Sequence, residues 1–203
     1  MRYSSFDKSI KANKDVEQIY NPSVYSINEM ISMVKDSKTL IQSWVYVDKS
    51  DNAINKTKLK YIHEEAYPEI KKSLIDKVEV WQEAEYYLYF DITSSIDTLF
   101  EKHEIIMDLL DNEEAYSDTS KLEVAYKMIT GSDNVLIHSD RVLNNLDSLS
   151  NLQKKYIQNY NDELDKSLAA YQKFILWMPI LIIVLLFFTA ISIYSSLIRP
   201  INT

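Results

Sequence analysis

Apolar side chains recur at three- and four-residue intervals along most of the chain. Val24, Ile27, Ile31, Val34, Ile41 and Val45 trace the seam of a helix buried along one side, with Trp44 flanking it. Asn21-Pro22-Ser23 reads as its start, because Asn21 suits a cap and Pro22 fits a first helical position where no N–H is needed. Residues 1–20 look helical but weakly patterned. The polar run Asp48-Lys49-Ser50-Asp51-Asn52 reverses the chain. A second helix is expected from Ala53 into the eighties, kinked or divided where Pro68 follows Tyr67, with Leu74, Val78 and Trp81 on its stripe. Leu88, Ile92, Ile96, Leu99, Ile106 and Leu110 carry the next stripe. Periodicity alone would draw one helix over 69–111.

Residues 111–120 are acidic and polar, a loop. A short helix over 121–130 ends at Gly131, expected as a left-handed stop, and Ser132 and Asp133 are placed to cap the last helix. That helix bears Val135, Val142, Leu146, Leu149, Tyr156, Tyr160, Leu164, Leu168 and Tyr171, and then meets residues 174–198, which hold no ionisable side chain. About 25 residues of helix span roughly 37 Å, against roughly 30 Å of hydrocarbon in a bilayer. Such a segment satisfies its own backbone only as a helix. Trp177 and Tyr194 suit the two headgroup zones, and Pro179 sits in the first turns. Helix lengths decide the middle of the chain. If residue 1 begins at the membrane, a turn at 82–87 makes four passes that return to it, whereas a continuous helix over 69–111 ends at the wrong side. The expected fold is all-α: an antiparallel four-helix bundle over 1–173 whose last helix continues into a single transmembrane helix, 174–198.

Composition narrows the function classes. One glycine and four prolines among 203 residues favour long helices, and a net charge of −8 without a basic run argues against nucleic acid as partner. No cysteine means no disulfide, thiolate nucleophile or Cys-based metal site. The N-terminus lacks a signal-peptide core, so the chain reads either as an excerpt of a longer receptor or as a tail-anchored cytosolic interaction or scaffold protein. No phosphate loop, catalytic group or cofactor site is indicated. His63-Glu64-Glu65 lacks the second histidine of a metalloprotease and reads as a solvated helical face. The acidic loop over 111–118 lacks the Gly-assisted turn of a calcium site and reads as solvated. His103 and His138 fall near facing stripes at similar heights, a candidate pair for a transition metal or for pH sensing; ordinary core histidines are the competing reading. Trp81, Tyr86, Tyr87, Tyr89 and Phe90 either line a ligand cleft or pack the lower core and a dimer face.

An acidic four-helix bundle whose last helix enters a span, followed by Ser196-Leu197-Ile198-Arg199-Pro200-Ile201, resembles the sensor half of HAMP-linked bacterial receptors. These include methyl-accepting chemotaxis proteins and the sensors of histidine kinases, cyclases and sporulation-type serine phosphatases. Asn21-Pro22-Ser23 through Trp44, and Ile105-Ile106-Met107 before an acidic loop, are similar to bundle sensors ahead of phosphatase or cyclase outputs. The resemblance implies a homodimer in the cytoplasmic (inner) membrane, with residues 1–173 outside it. It also implies a first span before residue 1, and a HAMP linker starting in 199–203 with Arg199 and Pro200 as the signal exit. Arg199 agrees with the positive-inside tendency, which Lys173 on the other flank weakens. The arginine pair that grips carboxylate in some amino-acid chemoreceptors has no counterpart, since only Arg141 lies between Arg2 and Arg199. The stimulus is left open as a small molecule or a periplasmic partner.

Overall fold

The computed structural model describes residues 11–132 and 134–193, and among these every regular element is helical. The elements are α1 (Asn21–Tyr46), α2 (Ile54–Tyr61), α3 (Tyr67–Val78), α4 (Glu83–Leu109), α5 (Thr119–Thr130) and α6 (Val135–Ile193). A 3₁₀ turn, Glu113–Ser117, joins α4 to α5. The chain divides into two units, Met1–Ile157 and Gln158–Thr203.

Asn21 does not cap α1. The helix already runs through residues 11–15, and the five residues Val16–Tyr20 form a π turn in which the Asn21 N–H donates to Val16 O. Proline causes this: Pro22 has no N–H, and its ring would clash with the carbonyl four residues back, so the helix widens by one residue ahead of it. Pro68 repeats the device. Ile62–Ala66 form a second π turn, closed by the Tyr67 N–H on Ile62 O, and the expected break at Pro68 becomes this widened passage from α2 into α3.

The turn between α3 and α4 covers 79–82, a little ahead of the expected 82–87. Gln82 and Glu85 form a capping box, with the Glu85 carboxylate accepting the Gln82 N–H at 3.1 Å. Gly131 is not left-handed: its φ is −66° and ψ 179°. What demands glycine there is proximity, since a Cβ would lie 2.6 Å from Lys127 O. Asn134 performs the capping assigned to Ser132 and Asp133: its Oδ1 accepts the Ile137 N–H at 2.8 Å, and its Nδ2 donates to Gly131 O at 2.6 Å. Asp133 lies outside the described residues.

In the first unit the seams named above are buried, from Ile27, Val34 and Ile41 through Leu74, Val78, Ile92, Ile96, Leu99, Ile106 and Leu110 to Val142, Leu146 and Leu149. Val24 and Leu88 are half-buried. Trp44 is buried too, its Nε1 donating to Leu110 O at 3.1 Å. The Tyr116 hydroxyl donates to Trp44 O (2.7 Å) and approaches Asp48 O (3.2 Å), which ties the 3₁₀ turn to the end of α1. Between the Trp44 and Tyr116 rings lies the Lys56 ammonium, 4.8 and 4.9 Å from their centroids; burial lowers its pKa.

In the second unit α6 continues to Ile193 with Pro179 inside it. An 18-residue window there has mean hydropathy 2.8, and none of it is buried, so among the described residues one helix is long and apolar enough to cross a membrane. Trp177 is exposed within it. Tyr194, Arg199 and Pro200 lie outside the described residues.

Candidate functional site

Three places in the first unit gather polar or titratable groups. The first is the π turn at Ile62–Ala66. The wider turn aims His63 inward, contrary to its reading as a solvated face, and its ring stacks on Phe100 with centroids 4.0 Å apart. His63 Nε2 meets His103 Nδ1 at 3.2 Å, one ring donating an N–H to the bare nitrogen of the other. His103 therefore pairs with His63 and not with His138. The two outward nitrogens, His63 Nδ1 and His103 Nε2, are buried without a partner among the described residues. Burial pushes the pKa of His63 down to about 4; burial, and secondarily the neighbouring His63, pushes that of His103 to about 3. Both rings are thus neutral at pH 7. A zinc-like ion would need two further donors, and no group of three or more metal-ligating side chains occurs among the described residues.

Beside the pair, Tyr67 donates to Asp97 Oδ1 at 2.7 Å, and Lys71 pairs with Asp97 Oδ2 at 2.8 Å. Burial, then the hydrogen bond to Asp97, raises the Tyr67 pKa. The other side of the π turn, Ile62 and Ala66, walls a surface groove of about 620 Å³ with Met33, Leu40 and Tyr61, rimmed by Glu29, Asp36 and Lys58.

The third place is a cleft of about 150 Å³ between α4 and the part of α6 in the first unit. Ser94, Ser95 and Thr98 line it from α4, and His138, Arg141 and Val142 from α6. Helical spacing explains the set: 94 and 98 lie one turn apart, as do 138 and 142. Lys102, one turn beyond Thr98, donates from Nζ to His138 Nε2 at 2.8 Å. That bond requires His138 Nε2 to be unprotonated and places the ring N–H on Nδ1.

The aromatic group divides. Trp81 and Tyr89 are core residues in edge-to-face contact at 5.7 Å, while Tyr86, Tyr87 and Phe90 are exposed, and none of the five lines either cavity described. Sequence reasoning missed the inward face of the π turn and the Arg141 cleft. Pro68 was the available signal for the first. For the second it was a lone arginine one turn from a histidine. No protein-family model, curated protein or solved structure matches the chain.

Proposed function

We propose that the chain is the input region of a bacterial transmembrane signalling receptor. Residues 1–173 form an extracytoplasmic antiparallel four-helix bundle, and residues 174–198 cross the cytoplasmic membrane. The observation that carries this reading is α6, which passes without a break from buried positions such as Val135, Leu146 and Leu149 to an apolar stretch of which nothing is buried. Cross-contacts favour the antiparallel arrangement, because partner numbers rise on one helix as they fall on the next. His63 meets His103, Tyr67 meets Asp97 and Tyr89 meets Lys71; Lys38 pairs with Asp140, Asn28 with Ser150 and Tyr20 with Tyr156. In this reading a homodimer responds to a stimulus by a small displacement of α6, relayed through the membrane to a HAMP-type linker at Arg199 and Pro200 and on to an output domain. Packed helix interfaces convert small shifts into discrete states.

The absence of cysteine makes the test clean. A single cysteine at Glu113, in an exposed turn, is expected to react with a membrane-impermeant maleimide in intact cells, and one at Asn202 only after lysis. The opposite pattern would replace the receptor with the tail-anchored cytosolic protein.

A further inference from the structure

The two inward histidines form a donor set that their mutual hydrogen bond leaves half used. His63 Nε2 and His103 Nδ1 face each other at 3.2 Å, while His63 Nδ1 and His103 Nε2 are buried with no partner among the described residues. Buried polar nitrogens are nearly always satisfied, so two idle ones in one pair mark it as unusual. Both rings are neutral at pH 7, which removes the proton as a competitor and leaves imidazole in its metal-binding form. A four-coordinate divalent ion lacks its third and fourth donors among the described residues. A monovalent d¹⁰ ion does not need them. Two donors in line satisfy it, and it brings one charge into the core where a divalent ion brings two.

The geometry is close to what such an ion requires. Metal–imidazole bonds of about 2.0 Å place two in-line donors about 4 Å apart, so the rings part by about 0.8 Å from their separation of 3.2 Å. His63 stands on the π turn, and wide turns of this kind are frequent at functional sites. Phe100 lies roughly parallel to both imidazoles, its centroid 4.0 Å from that of His63 and 5.6 Å from that of His103, so a cation between them has an aromatic face within reach. His103 is fully buried and His63 half-buried, which closes the site on one side and leaves the other for entry. The protons balance as well. In the hydrogen-bonded pair one ring donates an inner N–H to the other; when an ion takes both inner nitrogens, that proton moves to the idle outer nitrogen of the same ring, and none is released.

We propose that His63 Nε2 and His103 Nδ1 bind a monovalent d¹⁰ metal ion between them, with Cu(I) the biological member of the class and Ag(I) its redox-inert analogue. The ion ties the passage from α2 into α3 to α4 across the core. The site stands on the first unit alone, and it holds or fails independently of the receptor reading.

The test is isothermal calorimetry on the full chain in detergent and chloride-free buffer, titrating silver nitrate, with zinc nitrate as a separate arm. One-to-one Ag(I) binding with a Kd below about 1 μM is expected, and zinc should bind at least about a hundredfold more weakly. Cysteine is absent and histidine occurs three times, so the controls are few. His103→Phe and His63→Gln should each weaken Ag(I) by more than the about 10–100-fold that loss of a mere supporting contact costs at a metal site, with helical circular dichroism retained. His138→Gln should leave the affinity unchanged. X-ray absorption of the parent chain loaded with Cu(I) is a second measurement that needs no variant: it should show two nitrogen neighbours at about 2.0 Å and no sulfur. No saturable one-to-one Ag(I) binding would overturn the proposal, as would equal weakening by His138→Gln. Zinc binding as tightly as silver, or sulfur neighbours from methionine, would also overturn it.

Discussion

Acidification should unfold the first unit through its two inward histidines. In the unfolded chain each imidazole titrates near 6.5. In the folded protein burial holds His63 at about 4 and His103 at about 3. Both rings bind protons more weakly when folded, so their stabilising contribution is complete above pH 6.5 and is lost progressively as pH falls from there towards the folded values. At pH 5 the unfolded chain has taken up nearly both protons and the folded chain almost none. At 1.36 kcal/mol per unit this amounts to about 2 kcal/mol for each ring and about 4 kcal/mol for the pair. Glu85 works the other way, because burial raises its carboxyl pKa and its protonation favours the folded state as pH falls. The cleaner readout is therefore the difference between the parent and His103→Phe, which keeps a flat ring in the core beside Phe100. Urea unfolding followed by helical circular dichroism in detergent, at pH 7.5 and pH 5, measures it. The parent should lose about 2 kcal/mol more than His103→Phe over that interval. Equal losses would refute the reasoning, as would an NMR titration of either buried ring with a midpoint near 6.5.

Two further substitutions test the packing of the same unit. Tyr116→Phe removes the hydroxyl that serves Trp44 O and Asp48 O, and should lower stability by about 1–3 kcal/mol in the same urea assay, because a buried carbonyl loses its partner. Gly131→Ala forces a methyl group to within 2.6 Å of Lys127 O, and should cost about 1–3 kcal/mol, read as a lower melting temperature, although alanine is the better helix former.

The apolar seams were legible because burial on one side of a helix leaves a repeat that needs no tertiary information, and Ile27 through Val45 and Ile92 through Leu110 are buried as that repeat requires. The repeat along α6 fades after Tyr160: Leu168 and Tyr171 continue it but lie exposed in the second unit. Features that depend on a single backbone contact were not legible. Gly131 was correctly recognised as a stop, but for its conformation and not for its closeness to Lys127 O. Asn134 was passed over as a cap because Ser132 and Asp133 precede it with equal propensity. His63 looked solvated because its neighbours Glu64 and Glu65 are, and only the widened turn separates their directions. Arg141 had no sequence partner; its companions Ser94, Ser95 and Thr98 come from a helix more than forty residues away.

Each proline in the first unit's long helices shifts the screw of the chain by one residue. Ile62 and Tyr67 are both buried, five residues apart, where an ordinary helix would bring back the same face after three or four. Leu59 and Ile62 before the slip, and Tyr67, Leu74 and Val78 after it, belong to one continuous inner edge only when that extra residue is counted. A heptad drawn straight through Pro22 or Pro68 therefore assigns the wrong half of the helix to water.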